Sequence, residues 1–525
     1  MKIFLEKMAV SAAGKPRSLD FELHPFIAAN CGIRPDDIID YTIVKRSIDA
    51  RQRPDIKLLY TLIVEIDDKV RPKRTWEEAP AQNPVDPPVF HCAEPPLHPV
   101  IVGAGPAGLF CALILAMGGC KPVILDRGRD VVRRKQDIDR FFAGRELDEE
   151  SNLLFGEGGA GAWSDGKLYT RIRDPRIQFV LQEMIEAGAP ENIGYFSHPH
   201  VGSDLLPGVI ANLREKIIRL GGIFRWDCRA ESLLVRDGIC RGVVLAGGEK
   251  LEAPLVVSAC GHSARDFISA SIQAGAAFRM KGFQIGCRIE HPQDFINWMQ
   301  YGVQETIPAL GNAEYSMISR PVRSGGADGV TTFCMCPGGE IIPATPKRER
   351  LCTNGMSNSA RSGIFANAAL VTTLGPETFG SPQEAYAFLD RLESRAYEAG
   401  GGDYVCPAQR AIDFLHGREG KLPKHSSWKF GLRAARVDSL LPDNVCRALG
   451  RALIHFDRMA GGYIRYGTLL GVETRVSSPV RFERDAVTRQ NPLTNFYPVG
   501  EGAGLAGGIT SSAIDGILTA ESILK

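Results

Sequence analysis

With 525 residues, the chain has room for two or three domains with ample cores. Its 44% hydrophobic and 23% charged residues are those of an ordinary soluble globular protein, and a net charge of +1 provides no global pull towards nucleic acid or an anionic membrane. The 13 cysteines are odd in number, scattered and without a C-x-x-C pair, which excludes a disulfide framework. Cys334 and Cys336 form an isolated C-x-C without the clustered ligands zinc needs, so free thiols in a reducing cytoplasm and no metal are expected. Glu6 and Lys7 interrupt what would be the apolar core of a signal peptide, and none is expected.

Residues 1–70 read as a small α+β module. It has a strand at 2–10, short helical stretches at 20–30 and 34–39, and an antiparallel hairpin from 40–47 and 56–66. The basic residues Lys45, Arg46, Arg51 and Arg53 read as a solvated hairpin end, with a grip on phosphate or a partner as the alternative. The proline-rich 71–96 follows as a linker and sets the domain boundary.

The stretch 97–127 carries the strongest signal. A β-branched strand at 100–102 runs into Gly103, Gly105 and Gly108, a G-x-G-x-x-G turn opening an apolar helix. A second strand at 121–125 ends at Asp126. In such a unit the first glycine makes the tight turn, the second admits a pyrophosphate, and the third lets helix pack on strand. The helix N-terminus offers N–H groups to the phosphates, and the acid accepts ribose hydroxyls. The apolar run is close to the ~20 residues of a membrane span, but its opening glycines and strand-like continuation argue against one.

Downstream, 130–150 looks helical and 153–171 is a glycine-rich loop of the kind held against a ligand. An amphipathic helix at 204–220 precedes short strands at 223–226, 229–235, 242–245 and 255–258. The last strand leads through Gly261 to a helix expected to be capped by Ser263. Residues 276–475 have a different texture, with mixed strands and long loops, and a clear helix at 381–399 with Ser381 as its cap. A final strand, glycine turn and helix at 495–525 suggest a domain begun, interrupted and completed.

These pieces, in this order, resemble the glutathione-reductase-like FAD flavoproteins, and within them the bacterial FAD-dependent dehydrogenases of unassigned substrate. The resemblance is carried by IVGAGPAGL (101–109), VILDRG (123–128), FGEGGAGAWSDGKLYT (155–170), VVSACGHSARD (256–266), MCPGGE (335–340), NGMSNSAR (354–361), GVETRVSSPVR (471–481) and YPVGEGAGLAGGITSSAIDG (497–516), with KRSIDAR (45–51) in the leader. It implies an α/β fold: a discontinuous FAD-binding Rossmann domain (97–275 and 476–525), an inserted mixed α+β substrate domain (276–475) and the small N-terminal domain. It implies that Gly103, Gly105 and Gly108 hold the pyrophosphate, and that Asp126, with Arg127 beside it, serves the adenosine ribose. Ala230 would lie at the adenine, and Ala259 and Gly261 on the strand end passing the pyrophosphate. Gly159, Ala160, Ser164 and Lys167 would cross near the isoalloxazine. Gly500 and Glu501 would face the ribityl side, with Glu501 standing where Asp is usual. Gly507, Gly508 and Ile509 would face the pyrimidine end, where a helix N-terminus stabilises the anionic reduced flavin.

A flavin carries the redox chemistry itself, so no protein nucleophile is required, and there is neither a redox C-x-x-C near the flavin motif nor a second clear GxGxxG of a separate NAD(P)H domain. The expected activity is hydride transfer between flavin N5 and a small organic substrate, with NAD(P)H a possible donor. Lys167, His262 and Arg475 are the candidate catalytic residues, Arg475 because a guanidinium recognises anions in two-pronged fashion. Asn354 and Ser357 are candidate polar contacts in the insert. An RNA-associated or tRNA-modifying flavoprotein is the alternative, with only the basic leader segment in its favour.

Overall fold

In the computed structural model, residues 1–15, 22–70, 97–320 and 329–525 are described, together with the backbone of Glu77 and Glu78. The leader forms a four-stranded antiparallel sheet, order β2-β3-β1-β4, from β1 (Lys2–Ser11), β2 (Ile38–Asp49), β3 (Lys57–Ile66) and β4 (Glu77–Glu78), with α1 (His24–Cys31) beside it. Alternate residues of β3 (Leu58, Tyr60, Leu62, Val64 and Ile66) are fully buried, as the two-residue period of a half-covered sheet requires. Apart from β4, the expected linker 71–96 lies outside the described residues.

At the hairpin end Lys45, Arg51 and Arg53 are exposed, as expected, but Arg46 is not. Arg46 is buried: its N–H donates to the Tyr195 carbonyl at 2.8 Å, its guanidinium to the Ala309 carbonyl at 2.9 Å, and it stacks over Phe196. Arg53 donates to the Met299 carbonyl, and Arg51 pairs with Asp49 at 2.6 Å. The leader is thus fastened to both later parts of the chain.

β5 (Val100–Val102), α2 (Pro106–Met117), β6 (Val123–Leu125), α3 (Val131–Gly144), α4 (Arg176–Glu186), α5 (Leu206–Arg219) and β7 (Ile223–Arg225) begin a parallel sheet. An antiparallel meander of β8 (Ala230–Arg236), β9 (Ile239–Leu245) and β10 (Lys250–Glu252) intervenes before β11 (Val256–Ser258) and α6 (Arg265–Gln273). Ser263 does not cap α6, contrary to expectation: its hydroxyl is buried without a partner, and Ala264 occupies the N-cap.

The insert follows β12 (Phe278–Met280). It contains β13 (Phe283–Pro292), α7 (Gln293–Tyr301), β14 (Ile318–Ser319), β15 (Val330–Cys336), β16 (Glu340–Pro343), β17 (Thr353–Met356), β18 (Phe365–Leu374) and α8 (Pro382–Gly400). It continues with β19 (Cys406–Arg410), α9 (Ala411–Leu415), β20 (Leu432–Ala434), α10 (Val437–Leu440), α11 (Asp443–Met459), α12 (Tyr463–Tyr466) and β21 (Thr468–Glu473). Seven of these strands form one sheet, order β14-β15-β18-β13-β21-β19-β20, built on the long β13/β18 ladder from Phe283↔Leu374 to Pro292↔Phe365. Ser381 caps α8 as expected, accepting the Glu384 N–H at 3.2 Å. β22 (Val480–Phe482) pairs with β12 and closes the neck of the insert.

β23 (Phe496–Pro498) then joins β11, completing a parallel sheet in the order β23-β11-β5-β6-β7, and α13 (Ile509–Ile523) packs on α2. The crossing is close: a Cβ at Gly516 would lie 2.2 Å from the Ala107 carbonyl oxygen. Being covered by the sheet on one side and by α13 on the other, α2 buries ten residues and is apolar all round. That covering explains a run of nearly membrane-span length in a protein in which, among the described residues, no helix is long and apolar enough to cross a membrane.

Candidate functional site

The ends of β5, β11 and β23 meet at one crevice. Gly103 turns the chain with φ +106°, and its N–H donates to the Leu125 carbonyl at 2.7 Å. A Cβ there would lie 2.4 Å from the Ala259 carbonyl oxygen, and one at Gly108 would lie 1.9 Å from that of Gly103, so both glycines serve backbone contact. Gly105 differs. Its φ is −79°, and the nearest atom to a Cβ there is the Gly159 Cα at 3.9 Å.

Asp126 is buried, and each of its oxygens accepts one backbone N–H: Ala104 at 2.9 Å and Gly128 at 2.9 Å. Burial raises its carboxyl above the usual range in spite of these two donors. The acid therefore fixes the glycine turn from below, leaving one lone pair on each oxygen for a hydroxyl. Arg127 bonds Glu150 at 2.5 Å and Asp266 at 3.0 Å and lies over Phe155. Ala230 opens β8, its backbone in register with Leu245.

The 155–170 loop lies across the same turn. The Gly158 N–H donates to the Ala104 carbonyl at 2.8 Å, and Thr510 in α13 donates to the Leu168 carbonyl at 2.7 Å. Gly161 lies against Ile509, Ala160 is exposed, and Ser164 closes a turn on the Gly161 carbonyl at 2.8 Å. Buried Arg134 pulls the loop down through the carbonyls of Asn152 (2.8 Å), Gly156 (3.1 Å) and Glu157 (2.6 Å). Glu157, also buried, accepts from Val131 N and Arg214, yet burial pushes its carboxyl up to about 7.

On the far side, the Gly500 N–H donates to Asp515 at 2.8 Å. Glu501 accepts the Gly508 N–H at 2.5 Å and faces His262 Nδ1 at 3.0 Å, while His262 Nε2 faces the Arg475 carbonyl at 3.0 Å. The Arg475 guanidinium is buried against Glu393 at 2.8 Å, with Nε and Nη1 lacking partners. It is thus engaged behind the neck, and burial lowers its pKa. At Gly261, Gly507 and Gly508 a Cβ would meet nothing within 4 Å. These open positions, with Gly105, make a cradle of bare backbone that fits a dinucleotide.

A charged cluster joins the glycine-rich loop to the insert. Lys167 pairs with Asp165 at 2.5 Å, and Asp165 also accepts from Arg361 Nε at 2.9 Å. Burial opposes charge on Lys167, but Asp165 keeps its pKa above normal; Lys167 and Arg361 hold the Asp165 carboxyl far down against the same burial. Glu314, 3.6 Å from Arg361 and bonded to His198, is brought down to about 2 by His198, Lys167 and Arg361, which outweigh burial. Burial and Arg361 push His200 down to about 4. Cys334 has φ +44° at a bulge in β15 and is exposed. Among the described residues every cysteine is free and no metal-ligating cluster is present. Asn354 accepts from Arg288 at 3.3 Å, and Ser357 is buried against the Pro337 carbonyl.

Asp165 was legible as the neighbour of Lys167 in a glycine-rich loop. Arg361, Glu314 and His198 were not, because only the fold brings these three distant segments together.

Comparison with known proteins places the chain. An uncharacterized protein of Clostridium beijerinckii is 41% identical over 536 residues, covering 99% of both chains. The chain belongs to that protein's family. Residues 282–476 match the family described as FAD-dependent protein, C-terminal domain-like, and residues 16–65 match a domain of unknown function, DUF8436. Among solved structures, a glycerol-3-phosphate dehydrogenase from Bacillus halodurans complexed with FAD is similar at 9% identity and TM-score 0.36, covering 82% of this chain and 65% of that one. A geranylgeranyl bacteriochlorophyll reductase-like protein from Thermoplasma acidophilum is similar at 11% identity and TM-score 0.35, covering 81% and 77%. FAD is the cofactor of this chain.

Proposed function

We propose that the protein is an FAD-dependent oxidoreductase that transfers a hydride between flavin N5 and a small organic substrate held by the insert. The observation that carries this is that Gly105, Gly261, Gly507 and Gly508, in the turns after the adjacent strands β5, β11 and β23, all leave open space where a side chain would stand, while the Lys167–Asp165–Arg361 cluster joins the glycine-rich loop to the insert. Bound FAD supplies the redox chemistry at its own ring. Gly103, Gly105 and Gly108 with the start of α2 would hold the pyrophosphate, while Asp126 keeps that turn in place. The start of α13, fixed by Thr510 on Leu168, would direct its dipole at the pyrimidine end. Gly159, Ala160, Ser164 and Lys167 would line the ring. Lys167 and Arg361 orient a polar substrate as members of neutralised pairs. A nicotinamide could approach the same open face as donor.

The purified protein is expected to be yellow and to release FAD rather than FMN on denaturation. Anaerobic reduction with NADH and NADPH in parallel, followed by a substrate panel, then identifies the donor and the acceptor class. A colourless protein that cannot be reconstituted with FAD would sink the proposal.

A further inference from the structure

His262 follows β11 and Glu501 follows β23, neighbouring parallel strands, so the two side chains meet on the crevice floor. The ring's two nitrogens each face an oxygen at 3.0 Å, Nδ1 the Glu501 carboxylate and Nε2 the Arg475 carbonyl. A carbonyl only accepts, so Nε2 carries a proton, and the Nδ1 contact requires one further proton shared between the ring and the Glu501 carboxyl. We propose that His262 is a positioning residue for FAD: the proton it shares with Glu501 leaves the pair without net charge beside the cofactor site, and its ring ties that carboxyl to the neck of the insert. The proposal rests on the FAD site described above.

The surroundings leave this task to His262. Among the described residues it is the ion-pair partner of Glu501, since the neighbouring cations are committed elsewhere. Lys281 donates to the Gly504 carbonyl at 3.1 Å, and Arg475 pairs with Glu393 at 2.8 Å. The second Glu501 oxygen takes the Gly508 N–H, so the carboxylate is held from both sides. Burial works to raise the Glu501 carboxyl, yet the His262 hydrogen bond and charge, with Gly508 and Lys281, bring it below its ordinary range. Removing His262 would leave a bare carboxylate in the crevice that must receive two phosphates, and like charges there repel.

The test reads FAD dissociation from the holoprotein by the fluorescence of released cofactor. His262→Phe is expected to weaken FAD by about tenfold or more, as for a partly buried charge left unpaired. Glu501→Gln alone should lose less FAD affinity than His262→Phe, because it removes the charge that His262 balances while its amide oxygen still accepts from Gly508. The double variant His262→Phe/Glu501→Gln should bind within about threefold of Glu501→Gln alone, a non-additivity expected of coupled neighbours. Losses that multiply in the double variant would overturn the proposal, as would wild-type affinity in His262→Phe. Should His262→Phe fail to fold, ¹⁵N-histidine NMR of the wild-type chain decides, with Nε2 protonated and Nδ1 hydrogen-bonded to Glu501. A bare Nε2, or an Nδ1 without a hydrogen bond, would overturn the pairing. That spectrum is read with or without cofactor, whereas a wild-type chain that never binds FAD would defeat the functional reading instead.

Discussion

Gly105 and its two companions look alike in the sequence motif but do different work. Gly103 and Gly108 are pressed against backbone oxygens, and Gly103 has a positive φ, so Gly103→Ala and Gly108→Ala should destabilise the fold. The cost should be at least the roughly 1–3 kcal/mol of an overpacked core. Gly105 has ordinary φ and near-empty space, so Gly105→Val should fold with an unchanged thermal midpoint as apoprotein and lose FAD. Thermal melts paired with flavin absorbance separate the two outcomes, and a Gly105→Val protein with a full flavin spectrum would make the motif structural only. Glu157 gives a pH signature. Its folded pKa of about 7 lies above its ordinary 4.5, so the folded state binds the extra proton between these values. Its contribution is complete below the ordinary value and declines as pH rises through the folded one. Glu157→Gln should therefore flatten the fall in stability between roughly pH 4.5 and 7, as measured by urea unfolding across that range. A profile parallel to wild type would show that Arg214 keeps Glu157 ionised.

Among the elements, the 155–170 loop joins the parts of the site. It bonds the glycine turn at Ala104, α13 at Thr510 and the insert through Asp165–Arg361. On the insert side, Ser359 adds bonds to Asp204 at 2.6 and 2.7 Å, and Ser203 N–H donates to the Ser357 carbonyl at 3.0 Å. Asp165→Ala would strand Lys167 and Arg361, both largely buried, at a cost of about 3–5 kcal/mol. The expected result is faster amide hydrogen exchange at 165–168 and 357–362, with exchange in the parallel sheet unchanged. Unchanged exchange in the loop would assign the latch to Ser359 and Asp204. Sequence periodicity made β1, β3, α5 and α8 legible because each has one buried face, and α8 carries its cap, Ser381, in the residue directly before it. It placed Ser263 wrongly at a cap, since the chain between Gly261 and α6 bends in a way that only packing against the insert decides.

For the whole molecule, the two strand–turn–helix units at 100–117 and 496–523 were readable as parts of one interrupted domain, and their strands do join one parallel sheet, because such units leave a local imprint. The charged cluster was half readable. Lys167 stands in a conspicuous loop, but Arg361, which shares Asp165 with it, lies 196 residues from that acid and belongs to a stretch without periodicity. Of the leader's basic residues, Lys45, Arg51 and Arg53 lie exposed as expected, and Arg46 departs for a related reason: composition shows charge but not that it turns inward onto Tyr195, Phe196 and Ala309.

The packing of α2 against α13 also sets an order of events in the cell. Roughly 400 residues separate the two helices, so at ribosomal speed α2 waits about 20–80 s for its cover. Through that interval an almost wholly apolar helix is made with one side bare, and β11 lacks its outer neighbour β23. The insert can complete its own sheet meanwhile, since its seven strands all lie between the two halves. Maturation of the nascent chain therefore runs from the middle outwards, and its first half is a natural client for a chaperone until α13 emerges.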